Sequence, residues 1–211
     1  MPETKIDVTE TALMVIDMQN YNVKDKTGIF SDVTKMVEAN QVIDNITKVI
    51  KAARQIGIPV FYVRTIRRKD GTDTWKPLIT DLVLEGLWPA AEKSAELFME
   101  GTSGADFVDE LRPAAEDYVI EKRRISSFYQ TDLELLLRRR GINTIILTGV
   151  VTSGCVEAAG RDARDRDFNV IYIEDCCGDR TKEAHEFPFR NYFHRHGRVR
   201  TSEEVIAAIL R

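Results

Sequence analysis

Five short apolar runs recur along the chain, each bounded by polar or turn-forming residues: TALMVID (Thr11 to Asp17), PVFYVRT (Pro59 to Thr65), YVIEK (Tyr118 to Lys122), TIILTGV (Thr144 to Val150) and VIYIED (Val170 to Asp175). The first is nearly continuous in apolar character and lacks the alternation of a half-buried strand. Such runs suit parallel strands, whose two faces are both covered. Helical segments fit the gaps. Ser31 is placed to cap a helix running to about Gln55, with Gly57 as its stop and Pro59 beyond. Thr131 and Glu134 have the spacing of a capping box for DLELLLRRR, which Gly141 ends. Thr181 opens a helix through KEAHE that Pro188 should bend or break, and Thr201 with Glu204 forms a second capping box before VIAAIL. Strand and helix in alternation predict one α/β domain over residues 1–211, three layers deep, with right-handed crossovers. The order of the strands is not legible in the pattern.

Residues 66–115 break the rhythm. This stretch carries Trp75, Pro77, Trp88, Pro89 and Gly101 with no clean period. Long irregular insertions in small domains are usually functional, and the aromatics here predict an ordered cover near the site or a subunit contact.

Composition narrows the classes. Of 211 residues 43% are apolar and 30% charged, which supports a packed core rather than a disordered chain. The net charge of -4, with no dominant basic face, predicts no nucleic-acid partner. The basic run Arg138 to Arg140 ends a predicted helix, where cations suit the dipole. No apolar stretch reaches the length of a membrane span, and MPETKIDVTE lacks a signal-peptide core, so a cytoplasmic protein is expected. Cys155, Cys176 and Cys177 are too few for a disulfide framework; the latter two are expected to pack as small hydrophobes near a strand end.

Candidate chemistry sits where strands end. Asp17 closes the first run, Lys122 closes the third, and Cys155 follows the fourth by five residues. Parallel strands bring their carboxyl ends to one edge, where open α/β sheets bind ligands. Thr152 or Ser153 can serve as N-cap, which puts Cys155 in the first helical turn. The helix dipole and a nearby lysine are expected to lower the thiol pKa, and Asp17 is placed to take the proton. Asn20 and Tyr21 lie just beyond Asp17, and Phe128 and Tyr129 follow Lys122; all four are candidate substrate contacts. Arg67 and Arg68 could clamp a carboxylate. Two other classes stay open on the residues alone: a non-catalytic binder, and a thiol redox protein pairing Cys155 with Cys176 or Cys177, which requires sulfurs close enough to bridge.

The segments VIDMQN (15–20), VIEKRRISSFYQTDLELLLRRRGI (119–142) and LTGVVTSGCVEAAGRDA (147–163), with EGTSGADFVDEL (100–111) and IEDCCGDRTKEAHE (173–186), resemble the isochorismatase-like cysteine hydrolases. That family includes nicotinamidases, N-carbamoylsarcosine amidases, ureidoacrylate and biuret hydrolases, and isochorismatase. The likeness runs from Thr11 to Leu210. It implies a three-layer α/β/α fold with a mostly parallel six-stranded sheet, and an Asp-Lys-Cys triad at Asp17, Lys122 and Cys155. It further implies an oxyanion hole from the backbone N–H groups of Val151 and Cys155, a cis peptide at Val150–Val151, and a dimer or tetramer. Nicotinamidases of the family bind a metal through an Asp and two His after the second strand. RTIRRKDGTDTWKP has no histidine there, and His185, His194 and His196 all lie near the C-terminus, so no metal and no cofactor is expected. Isochorismatase lacks the nucleophilic cysteine. The remaining expectation is hydrolysis of a small amide or of a carbamoyl (ureido) compound.

Overall fold

Because successive side chains of a strand point to opposite faces, a continuously apolar strand needs cover on both. β1 (Thr11–Ile16) shows this directly. Leu13 and Val15 enter one core, while Ala12, Met14 and Ile16 enter the other. The computed structural model describes residues 6–73 and 97–211. Six strands form one all-parallel sheet in the order β3-β2-β1-β4-β5-β6, comprising β1, β2 (Val60–Thr65), β3 (Tyr118–Lys122), β4 (Thr144–Val150), β5 (Asn169–Gly178) and β6 (Arg198–Arg200).

The helices are α1 (Asn20–Val23), α2 (Ser31–Ala39), α3 (Val42–Gln55), α4 (Leu133–Arg139), α5 (Glu157–Asp165), α6 (Lys182–Pro188), α7 (His194–His196) and α8 (Ser202–Ile209). α2, α3 and α8 supply Val33, Val37, Ile46, Val49, Val205 and Ile209 to the core of one face. α4 and α5 supply Leu133, Leu137, Ala159 and Ala163 to the other. Helices on both faces follow from strands that are apolar on both faces. Among the described residues no helix is long and apolar enough to cross a membrane.

Several local expectations change. The helix expected over 31–55 is two helices, because Gln41 takes a left-handed backbone (φ 53°) between them. Ser31 is the first residue of α2 and not its cap. The Thr131–Glu134 box does not form: Thr131 donates its hydroxyl to Ser127 O, and Asp132, in the cap position of α4, makes no capping bond. The Thr181 cap and the Thr201–Glu204 box are both present. β5 extends to Gly178, past the expected Asp175. It makes five steps (Tyr172 to Cys177) where β4 makes two (Leu147 to Gly149), so a bulge lets it resume pairing as far as Val150. Three-residue β6 is too short to show in the pattern. Trp75, Pro77, Trp88 and Pro89 lie outside the described residues. On their C-terminal side, Leu97 and Phe98 are buried, and Met99 pairs with Arg67.

Candidate active site

The sheet reverses its winding between β1 and β4, and Asp17 and the turn bearing Cys155 leave those two strands. Asp17 follows β1 with a left-handed backbone (φ 52°), a region that Asp enters more readily than β-branched residues. Lys122 ends β3. It reaches back across β2, whose terminal residue Thr65 pairs with it in register. β4 ends at a cis Val150–Val151 peptide, and a single π-helical turn, Thr152–Val156, then carries Cys155 into α5. Gly149 makes the close approach of β4 to β1 possible. Its φ is 115°, and a Cβ there would lie 2.0 Å from Ile16 O.

Lys122 Nζ lies 2.8 Å from Asp17 Oδ2 and 3.2 Å from Cys155 Sγ. It also donates to Thr65 Oγ1 at 2.9 Å and to Arg124 O at 3.3 Å. The ammonium is 1% exposed and Asp17 is 3% exposed, so the pair is withdrawn from water. Thr65 joins the ends of this network. Its N–H donates to Asp17 Oδ1 (3.0 Å) and to Gln19 Oε1 (2.9 Å), and its hydroxyl lies 3.3 Å from Asp17 Oδ1. The Gln19 amide donates to Thr65 O and to Ala105 O, fixing the edge of the site to the C-terminal part of the 66–115 stretch.

Burial alone would depress the Lys122 ammonium, but the Asp17 carboxylate and the Cys155 sulfur beside it hold its pKa above the usual lysine value. The thiol behaves opposite to expectation. Burial pushes Cys155 up to about 12, the Asp17 carboxylate adds to the rise, and Lys122 only partly opposes it. At this sulfur burial and the Asp17 carboxylate thus outweigh the lysine, and the direction is opposite to the lowered pKa expected of the turn. The expected caps are corrected too. No side chain caps the turn: Thr152 Oγ1 bonds to Gly178 O (3.1 Å) and to His185 Nδ1 (2.8 Å), while Ser153 uses its backbone N–H.

The three groups face a cavity of about 280 Å³. Phe30, Phe98, Val150 and Val151 line its apolar part, and Arg67, Arg124 and Arg180 bring positive charge. Of the sequence candidates, Arg67 lines the cavity; burial holds its guanidinium below the usual value, Asp73 opposing this and Arg124 adding to it. Arg68 pairs with exposed Asp70 instead. Asn20 donates its amide to Ser103 O, and Tyr21 packs edge-on against Phe98 behind the wall. Phe128 is a core residue against Phe168, and Tyr129 is 51% exposed; neither is among the described lining residues. Nearness to Lys122 along the chain misassigned them: Arg123, Arg124 and Ile125 line the cavity, and the loop has left it by Phe128. Sequence reasoning missed Thr65, Arg124, Phe30, Phe98 and Arg180. Thr65 and Arg124, at or just beyond a strand end, were findable; the others arrive from distant segments.

All three cysteines are free thiols, with Cys176 and Cys177 buried in β5. His194 Nδ1 bonds to Phe189 O, and His196 stacks on Tyr192.

Residues 11–204 match the model of the isochorismatase domain. The chain is 32% identical over 209 residues to the Bacillus subtilis (strain 168) uncharacterized isochorismatase family protein YwoC, covering 99% of both. It is 32% identical over 174 residues to the ureidoacrylate amidohydrolase RutB of Rhizobium rhizogenes, covering 79% of this chain and 70% of that protein. Among solved structures it is similar to a cysteine hydrolase from Pseudomonas syringae pv. phaseolicola, with a TM-score of 0.82 and 26% identity over 100% of this chain and 99% of the other. A domain match over almost the entire length, joined to this fold, means that the chain belongs to the isochorismatase family of hydrolases.

Proposed function

We propose that this protein is a metal-independent cysteine amidohydrolase that cleaves a C–N bond of a small amide or ureido compound through a thioester. The observation that carries the reading is Lys122 Nζ, which lies within hydrogen-bonding distance of both Asp17 Oδ2 and Cys155 Sγ at the floor of the cavity.

The thiol's raised pKa decides how it reacts. A thiol whose pKa is raised well above its ordinary value favours the protonated form at pH 7. A resting thiolate is therefore unfavourable, and the proton leaves as the carbon–sulfur bond forms. Asp17 takes it as general base. Lys122 lies beside the Asp17 carboxylate and offers its charge to the sulfur as negative charge develops. The carbonyl oxygen becomes an oxyanion, held by the N–H groups of Val151 and Cys155. Collapse of the tetrahedral intermediate breaks the C–N bond, and ammonia or an amine leaves with the proton from Asp17. Water then gives a proton to Asp17 as it attacks the thioester, and the proton returns to the departing sulfur.

The cavity's volume suits a small substrate, with Phe30 and Phe98 against its apolar part and Arg67 at its charged part. The likeness to an amidohydrolase named for a ureido compound supports the ureido class among the candidates. The test is release of ammonia or amine from a panel of small amides and ureido acids. Wild type should turn over at least one, while Cys155→Ala and Asp17→Asn should lose roughly 10³-fold or more. Equal activity of wild type and Cys155→Ala on that compound would remove the assignment.

A further inference from the structure

We infer that Asp179 is a positioning residue that fixes the turn carrying Cys155, so that its backbone N–H groups meet the developing oxyanion. The inference rests on the hydrolase reading above and goes beyond the three reacting side chains.

Asp179 directly follows β5 and is 2% exposed. Among the described residues it forms no salt bridge; its charge is held by backbone donors instead. Oδ2 accepts from Ser153 N at 2.7 Å, and Oδ1 accepts from Arg180 N at 2.8 Å. A buried carboxylate is costly unless its oxygens are hydrogen-bonded, and these two bonds answer that cost. One residue earlier in each segment, Thr152 Oγ1 donates to Gly178 O, and His185 Nδ1 meets the same hydroxyl. Two consecutive residues of the turn are thus tied to two consecutive residues at the exit of β5. Ser153 lies between Val151 and Cys155, the two proposed oxyanion donors, so the tether acts at the middle of the hole.

The other carboxylate oxygen organises the facing wall. Arg180 begins there, donates to Ile29 O and lies over the Phe30 ring at 4.9 Å; both Arg180 and Phe30 line the cavity. One buried side chain therefore sets the relation between the nucleophile turn and the wall opposite.

Two effects of Asp179 on the reaction compete. Its negative charge disfavours a nearby oxyanion, whereas its bonds hold the donors in place. Asp17 and Lys122 are the charged groups that perturb the thiol, and Asp179 is not among them. Removing its charge should therefore leave thiol ionisation alone. Misplacing catalytic groups by about 1 Å costs on the order of 10²-fold, so the positional effect should win.

The test compares two reactions of the same sulfur. Acylation by p-nitrophenyl acetate passes through an oxyanion; alkylation by iodoacetamide does not. Each is measured on wild type, Asp179→Asn and Thr152→Val, with Cys155→Ser giving the background. In Asp179→Asn the amide nitrogen must face one of the two N–H donors. Acylation should fall roughly 10- to 100-fold while alkylation stays within about twofold. Thr152→Val should shift the same ratio in the same direction by less, and it decides the matter if the first variant does not fold. Unchanged acylation, faster acylation, or equal slowing of both reactions overturns the role of Asp179. Absence of Cys155-dependent acylation in wild type would instead overturn the hydrolase reading, and this role with it.

Discussion

Replacing Lys122 by methionine keeps most of the side chain's volume and removes its charge. Asp17, 3% exposed, then loses the cation 2.8 Å away. With an effective dielectric constant near 20, that attraction is about 6 kcal/mol, and the desolvation of both ions offsets part of it. Removing one partner of such a buried pair typically costs about 3–5 kcal/mol, because the surviving charge is left unpaired. For a chain of this length, that corresponds to a drop in Tm of roughly 6–20 °C at neutral pH. Hydrolysis should fall as well, because the sulfur and the carboxylate lose the cation between them. The assay is thermal unfolding followed by circular dichroism at pH 7, beside hydrolysis rates. Lys26→Met serves as control, since its pair with Glu38 lies in solvent and should leave Tm almost unmoved. A Lys122→Met protein that melts with wild type would refute the reasoning.

Two further outcomes follow from the same geometry. The folded pKa of Cys155, about 12, exceeds its ordinary value of 9.0, so the folded state holds a proton that the unfolded chain releases. That stability is fully present below pH 9 and is lost as pH rises toward 12; Cys155→Ala should therefore flatten the alkaline fall in stability measured by urea unfolding, and an unchanged slope would contradict it. Phe128→Ala should cost about 3–5 kcal/mol by emptying part of the core against Phe168, while KM of the folded fraction stays at the wild-type value; a change in KM without lost stability would return Phe128 to the substrate site.

Much of the candidate site was legible because its three candidate residues end or follow strands that the hydrophobic pattern marks. A parallel sheet puts every such end on one edge, so Asp17, Lys122 and Cys155 could be grouped without knowing which strands are neighbours. The same logic covers Thr65, which ends β2 and lies between Asp17 and Lys122 in the sheet. It fails for Phe30, Phe98 and Arg180, which reach the cavity from three separate segments and carry no periodic signal. It also misled at Phe128 and Tyr129, where sequence adjacency to Lys122 stood in for direction.

Alternation and run length, which are local properties, thus determined five of the six strands, both buried faces and the edge on which the candidate groups gather. Tertiary structure decided what depends on distant neighbours. The strand order put Thr65 between the Asp17 carboxylate and the Lys122 ammonium. The left-handed Gln41 divided a segment that reads as one helix. Above all, the direction in which the Cys155 pKa moves depends on packing: a lysine lowers it, but desolvation and the Asp17 carboxylate outweigh that, and both arise only when β1, β3 and β4 close around the sulfur.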